Sequence, residues 1–194
     1  MTDRPIIFSA PMVQALLAGR KTMTRRLAFG HQAKTPDCFY PSVWQKVRPG
    51  DRLWVREAFT VRDGHVFYRA GPISPGRSFD EPMMLSCRPS IHMPRKLSRL
   101  TLFVTAVKIE RLQKISAADI AAEGVECGKV GFPRAARAIF SGLWDSLHGP
   151  GAWKANPEVV VLTFTVHRCN IDAPHRRRNA AKTRRARKAV RELL

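Results

Sequence analysis

The chain has 194 residues, of which 44% are apolar and 25% are charged, the composition of an ordinary folded domain. No run approaches the roughly 20 apolar residues of a membrane span, and the first residues lack the pattern of a secretory signal, so a cytoplasmic protein with no membrane partner is expected. Thirty-four Lys and Arg against fifteen Asp and Glu give a formal charge of +19, which favours polyanionic partners such as RNA or DNA.

The first part of the chain predicts a strand, a helix and a basic segment. Residues 6–9 form a short apolar run typical of a buried strand. Pro11 suits the first turn of a helix, and Gly19 is a natural residue to end it. Residues 20–26 follow as a loop or strand with four basic side chains.

The next part predicts a hairpin between two irregular regions. Residues 28–50 show no periodicity and are expected to be irregular, whereas residues 53–59 have the composition of a strand. Asp63-Gly64 is a hairpin turn signal before a second strand at residues 65–69. Residues 71–90 contain four Pro and two Gly, which predicts a long surface loop, a candidate lid or recognition loop.

The second half predicts two further strands and two helices. Residues 100–107 and 159–164 have the pattern of strands. Ser116 and Asp119 have the spacing of a capping box, opening a helix that ends at Gly124. A longer helix over residues 135–147 places Ile139, Leu143 and Leu147 on one apolar stripe. About six strands and two or three helices predict an α+β fold, a small β-barrel with peripheral helices over residues 1–170.

Residues 171–194 form a basic tail with nine basic and two acidic residues. It is expected to be disordered, or to form a helix on a polyanion. An arm that binds nucleic-acid phosphates and a solvated extension are both open interpretations. The arginines expected to bind are Arg176, Arg177, Arg178, Arg184 and Arg185.

The four cysteines give little sign of a metal site. They lie at least 40 residues apart and form no CxxC pair. Cys38 with His31, or Cys87 with His92, could contribute ligands, but reduced thiols are the expected state. No metal and no organic cofactor is expected.

Four runs of the chain occur in an order typical of one family: GRKTMTRR (residues 19–26), PGDRLWVRE (49–57), RPSIHMPR (88–95) and LWDSLHG (143–149). Together they resemble the ASCH family, in the form found in phages and prophages, over about residues 4–167. The resemblance implies a PUA-like barrel and a link to RNA binding. The chain is about twice as long as the members of one enzymatic branch of this family. Residues 71–90 and 127–153 are the additions, and they bear on which substrate the protein takes.

That branch hydrolyses the acetyl amide of N4-acetylcytidine. In it the resemblance implies a lysine and a threonine three residues apart after the first helix, and a glutamate in a later helix. The matching residues here are Lys21, Thr24 and Glu123.

Amide hydrolysis gives each of these residue types a role. The hydroxyl of Thr24 becomes a nucleophile only when a base takes its proton, and Lys21 can serve if burial or nearby positive charge lowers its pKa. Glu123 could hold Lys21 or pass a proton to the leaving amine. Because residues 21 and 24 would face opposite sides of a regular strand, a turn or kink must separate them.

The basic residues around this pair have a second interpretation. Arg20 and Arg25 are expected to contact nucleic acid, and Arg26 to contact substrate. The whole segment could instead bind phosphates without any chemistry.

A second group of candidate substrate contacts lies farther along the chain. The ring of Trp54 could stack on a base, and the carboxylate of Glu57 could accept a hydrogen bond from the amine of cytosine. Arg56 and His92 are further candidates. The structural alternatives are a core Trp54, an ion pair of Arg56 with Glu57, and a histidine without a functional role.

The function expected from these features is hydrolysis of N4-acylated cytidines, as free nucleosides or in RNA or DNA. Two alternatives remain: a non-catalytic RNA- or DNA-binding module, and a phage accessory protein whose charge serves nucleic-acid packing. No obligate protein partner is evident.

Overall fold

A computed structural model describes residues 1–32, 35–71, 87–125 and 133–173, and these ranges contain nine β-strands and three α-helices. The strands are β1 (Asp3–Ile7), β2 (Met23–Leu27), β3 (Phe29–Gln32), β4 (Thr35–Pro41), β5 (Arg52–Arg56), β6 (Phe59–Arg62), β7 (His65–Tyr68), β8 (Thr101–Arg111) and β9 (Glu158–His167). The helices are α1 (Ala10–Leu17), α2 (Ala117–Ala122) and α3 (Pro133–His148).

Five strands form one mixed sheet in the order β1-β5-β8-β9-β2. β1 and β5 are parallel, and the other neighbours are antiparallel. The edge strands β1 and β2 come close, since Arg26 Nη2 on β2 donates to the carbonyl of Ile7 on β1 at 2.9 Å. The sheet therefore curls, but the described strands do not close into a barrel. The α+β class is as expected.

β9 separates two apolar cores. Its alternate residues point to opposite faces, as in any strand. Val160, Leu162 and Phe164 pack in the larger core with α1, while Val159 and Val161 pack in a smaller core with α2 and α3. Both faces of the strand are therefore covered in this part, which explains the run of four apolar residues at 159–162.

Helix α1 begins and ends as its sequence predicts. Pro11 lies in its first turn, where backbone N–H groups have no acceptor within the helix. The N–H that proline lacks therefore costs no hydrogen bond. At the other end Gly19 has φ +73°, and the N–H groups of Gly19 and Arg20 donate to the carbonyls of Leu16 and Ala15. This paired pattern ends the helix and turns the chain towards β2.

Helix α2 has the predicted capping box. The Ser116 hydroxyl accepts from the N–H of Asp119, and the Asp119 carboxylate accepts from the N–H of Ser116. The chain leaves the helix through Gly124, whose φ is +81°.

Helix α3 presents a different stripe to the core from the one predicted. Ala136, Phe140 and Trp144 are its buried residues, and they pack in the smaller core. The predicted stripe was wrong as a core stripe, since Ile139 and Leu147 are 44% and 67% exposed. The helix carries two apolar stripes, and only its packing against α2 and β9 decides which one is covered. None of the helices in the described ranges has the length and apolar character needed to cross a bilayer.

The two remaining strand pairs lie outside the main sheet. The hairpin β6-β7 turns at Asp63 and Gly64, both with positive φ, as the sequence predicts. The prediction that residues 28–50 are irregular was wrong in part, because β3 and β4 form an antiparallel pair there. Pairing between strands supplies backbone hydrogen bonds that side-chain periodicity did not indicate.

The main body of the chain stays packed slightly beyond residue 170. The side-chain amide of Asn170 donates to three carbonyls, those of Arg95, Lys96 and Ser98, and Ile171 is buried. Asp172 then pairs with Arg95. Most of the predicted 71–90 loop and residues 174–194 of the basic tail lie outside the described residues.

Candidate active site

One cleft brings together residues that are far apart in the sequence. It lies between α1, β2, the end of α2 and helix α3, and its cavity volume is about 170 Å³, below the roughly 300–1,000 Å³ of sites for drug-sized molecules. The lining residues are Phe8, Ser9, Pro11, Met12, Lys21, Thr24, Arg25, Arg26, Glu123, Val125, Phe140, Leu143, Trp144, Leu147 and His148.

The centre of the cleft is a buried pair of Lys21 with Glu123. The Lys21 ammonium donates to the Glu123 carboxylate at 2.9 Å and to the Glu123 carbonyl at 2.7 Å. Lys21 is 2% exposed and Glu123 is 6% exposed. Glu123 is buried because it lies at the end of α2, which packs against Lys21. The next residue, Gly124, has no side chain and so allows Ala15 to approach closely.

Lys21 and Thr24 line the same cleft because the chain between them is not a regular strand. Lys21 makes only an isolated bridge to Glu123, and β2 begins two residues later at Met23. Thr24 pairs with Leu162 and so faces the side of the sheet that packs on α1. The regular strand therefore begins only after Lys21, and the predicted turn or kink between Lys21 and Thr24 stays a prediction. The Lys21 amine and the Thr24 hydroxyl are not hydrogen-bonded to each other in the described contacts.

Burial lowers the pKa of Lys21 below its ordinary value of 10.5. The Glu123 carboxylate opposes this shift, and the positive charges of Arg26 and Arg25 add to it. A lysine whose pKa is lowered in this way has a larger neutral fraction near pH 7, and only the neutral amine can take a proton.

Arg25 holds three carboxylates on the opposite face of β2 from Thr24. Its guanidinium contacts Glu110 at 2.9 Å, Asp119 at 2.8 Å and Glu123 at 3.3 Å. Arg25 is 2% exposed, so in this structure it orients Glu123 and the capping residue Asp119 and has little surface for a nucleic-acid contact.

Arg26 is held by neutral groups. Its guanidinium donates to the Thr24 hydroxyl at 3.3 Å, to the Arg25 carbonyl at 3.2 Å and to the Ile7 carbonyl. It lies 5.1 Å from the ring centre of Phe8 and 5.7 Å from that of Trp44. Two aromatic rings and three oxygens therefore fix the side chain next to Thr24.

Helix α3 contributes two residues that were not among the candidate site residues predicted from the sequence. The rings of Trp144 and His148 stack with centres 4.2 Å apart, and both line the cleft. The indole N–H of Trp144 is buried without a hydrogen-bond partner in the described residues. Partial burial and the charge of Arg26 lower the pKa of His148 below its ordinary value of 6.5, which favours the neutral ring. Their i, i+4 spacing was the available signal.

The second group of predicted contacts lies away from this cleft. Trp54, Arg56, Glu57 and His92 are not among its lining residues. The Arg56 guanidinium covers the ring of the buried Trp54 at 5.4 Å, and His92 is exposed in a 3-10 turn.

Glu57 belongs to a separate buried ion pair. It accepts two hydrogen bonds from Arg99, at 2.7 and 2.8 Å, in place of the Arg56 pairing considered from the sequence. The guanidinium of Arg99 lies 4.0 Å from the ring centre of Tyr68. This geometry suits a structural contact between β5 and the β6-β7 hairpin.

The remaining predicted contacts divide between a neighbouring groove and the tail. Arg20 is exposed and lines a groove that adjoins the cleft, next to Ile139 and Leu143 of α3. The tail arginines Arg176, Arg177, Arg178, Arg184 and Arg185 lie outside the described residues. Within the described ranges, no three His, Cys, Asp or Glu side chains are placed to hold a metal ion.

Comparisons with protein-family models, with curated proteins and with solved structures gave no match to this chain.

Proposed function

We propose that the protein is an amidohydrolase of the ASCH type that removes the acyl group from N4-acylated cytidines. The observation that carries the proposal is the cleft that Lys21, Thr24 and Glu123 share, with Lys21 hydrogen-bonded to Glu123 and its pKa lowered by burial. A hydroxyl, an amine with a lowered pKa and a carboxylate are the groups that acyl transfer needs.

The reaction has two steps. In the first, neutral Lys21 takes the hydroxyl proton of Thr24 while the Thr24 oxygen attacks the acyl carbon. Hydrogen-bond donors in the cleft wall stabilise the oxyanion that forms. The C–N bond then breaks, and the N4 amine of cytidine leaves with the proton from Lys21. In the second step, water hydrolyses the acyl ester of Thr24, which releases the carboxylic acid and restores the hydroxyl.

The surroundings of the cleft support this assignment. Glu123 holds Lys21 in place through both its carboxylate and its carbonyl. Arg26 donates to the Thr24 oxygen and leaves the hydroxyl proton free for the base. The apolar side chains of Phe8, Met12 and Leu143 offer contacts for a base or an acyl group. Catalytic hydrogen bonds are often long in a free enzyme and shorten in the substrate complex.

The curled sheet is part of the same proposal. The hydrogen bond from Arg26 on β2 to Ile7 on β1 links the two edge strands of the sheet. It supports a PUA-like barrel that is open on one side.

The test is release of cytidine from N4-acetylcytidine by the purified protein. Thr24→Ala and Lys21→Gln are expected to lower kcat by at least about 10²-fold, the lower end of what a general base contributes. Thr22→Ala, at an exposed threonine in the same segment, is the matched control and should retain activity. Absence of turnover with acetyl and longer acyl cytidines, or full activity of Thr24→Ala, would contradict the proposal.

The second candidate is a non-catalytic RNA- or DNA-binding module. The formal charge of +19 favours it, together with the basic tail. It predicts that Thr24→Ala leaves both function and nucleic-acid affinity unchanged. It also predicts that deleting residues 174–194 weakens binding and flattens its salt dependence.

A further inference from the structure

We propose that Arg26 and His148 form a subsite for the phosphoryl group of a nucleotide, beside the cleft that holds Lys21, Thr24 and Glu123. The proposal relies on the proposed function only for the cytosine base. The anion itself is argued from the charges of the cleft.

Within the described residues, the charges of the cleft leave one cation without a carboxylate partner. Lys21 is paired with Glu123, and Arg25 is paired with three carboxylates. Arg26 is different, because its contacts in the described residues are two carbonyl oxygens and one hydroxyl, with no carboxylate. The charge of Glu123 acts on Arg26, but no carboxylate in the described residues is hydrogen-bonded to it, and a guanidinium partly removed from water in this way favours binding of an anion.

The Arg26 side chain is already held in place before a ligand binds. The rings of Phe8 and Trp44 and the carbonyl of Ile7 hold the guanidinium, so little side-chain entropy is lost when a ligand binds. The contacts to Thr24 and Arg25 use Nη1, and the contact to Ile7 uses one hydrogen of Nη2. Within the part of the chain that the structure describes, the second Nη2 hydrogen and Nε–H of Arg26 have no such contact, and they can donate together to one phosphate.

His148 lines the same cleft as Arg26 and can contribute to the same subsite. It is exposed at the end of α3, and neither ring nitrogen has a hydrogen-bond partner in the described residues. The other charged groups lining the cleft are Lys21, Arg25 and Glu123. Partial burial and then the charge of Arg26 disfavour protonation of His148, and a dianion bound between the two side chains would offset the effect of the charge. A phosphomonoester supplies the two negative charges that Arg26 and protonated His148 can share.

The test compares ligands that differ only in phosphate, by titration calorimetry and NMR on the full chain. Cytidine, cytidine 5′-monophosphate and the dinucleoside monophosphate cytidylyl-cytidine are titrated near pH 6 and pH 8. The monophosphate is expected to bind at least about tenfold more tightly than cytidine, as for one or two charge-assisted hydrogen bonds. The gain should be larger near pH 6, and the NMR pKa of His148 should rise in the complex.

Three variants locate the effect. Arg26→Gln should abolish the gain, and His148→Gln should reduce it near pH 6 more than near pH 8. Arg111→Gln is the control, because Arg111 is an exposed arginine outside the cleft and its loss removes the same charge. If Arg26→Gln does not fold, the titration of His148 in the unaltered protein still decides the question.

Equal affinity for cytidine and its monophosphate would overturn the proposal, as would a gain that Arg26→Gln retains or an unmoved His148 pKa. Binding of the dinucleoside monophosphate as tight as that of the monophosphate would overturn the nucleotide assignment in favour of a strand phosphate. No turnover is measured, so failure of the hydrolase proposal leaves this test intact.

Discussion

Replacement of Glu123 by Gln removes one negative charge from an enclosed ion pair while keeping the shape of the side chain. Lys21 is 2% exposed, and its carboxylate partner lies 2.9 Å away. The Glu123 carbonyl still accepts from Lys21 in the variant, and Arg25 keeps Glu110 and Asp119. The change therefore removes the charge of Glu123 from both Lys21 and Arg25, and of the two only Lys21 is left without a carboxylate among the described residues.

Breaking a buried ion pair by removing one partner costs about 3–5 kcal/mol, because the other charge stays buried. Lys21 can escape part of this cost by losing its proton. Deprotonation of Lys21 costs 1.36 kcal/mol for each pH unit below an ordinary pKa of 10.5. The stability that Glu123→Gln loses through the buried Lys21 charge therefore cannot exceed about 5 kcal/mol at pH 7 or about 2 kcal/mol at pH 9. We expect a loss of about 3–5 kcal/mol at pH 7, or about 10 °C in Tm for a chain of this size.

The pH dependence has a definite sign. Loss of the Glu123 charge, which raises the pKa of Lys21, leaves burial to lower that pKa further below 10.5 in the folded state, while the unfolded state keeps the ordinary value. Because the unfolded state then binds more protons, the stability of the variant rises with pH over the window between the two pKa values, and its deficit from the unaltered protein narrows.

Urea denaturation at pH 7 and pH 9 measures both effects. The matched control is Glu110→Gln, which removes another carboxylate from Arg25 at a more exposed position that also pairs with Lys108. We expect Glu110→Gln to cost less, and the double variant Lys21→Met with Glu123→Gln to recover part of the loss. The reasoning is refuted if Glu123→Gln is as stable as Glu110→Gln, or if its deficit widens at higher pH.

The remaining predictions concern the backbone beside this pair and the pH profile of the proposed reaction. Gly124→Ala combines φ +81° with a Cβ 2.8 Å from Ala15 Cβ and 2.9 Å from Lys21 Cβ, so denaturation should show a loss of about 2–4 kcal/mol. Gly64→Ala, with φ +75° in open space, should lose only about 1–2 kcal/mol, and equal losses would contradict the steric argument. If Lys21 is the base, kcat/KM for N4-acetylcytidine should rise with pH along a limb below pH 10.5. Arg26→Gln should move that limb to higher pH by removing a charge that lowers the pKa of Lys21, and an unmoved limb would exclude Lys21 as the titrating group.

Local patterns in the sequence were sufficient where neighbouring residues decide the structure. The capping box of Ser116 with Asp119 and the Asp63-Gly64 turn both form as predicted, because their hydrogen bonds and backbone angles involve residues at most a few positions apart. Strands β8 and β9 were predicted for a similar reason, because runs of β-branched and apolar residues favour strands.

The sequence alone pointed to Lys21, Thr24 and Glu123 through a family resemblance, but it did not establish that they meet. Glu123 is separated from Lys21 by 102 residues, and they come together only because β2 pairs with β9 and the end of α2 packs on α1. The same assembly decided that Trp144 and His148 face the cleft and that Trp54 and Glu57 do not. Residue types and short spacings thus determined the local elements and the candidate chemistry. Burial, charge pairing and the face of each helix were decided by the tertiary structure, because each depends on contacts between distant segments.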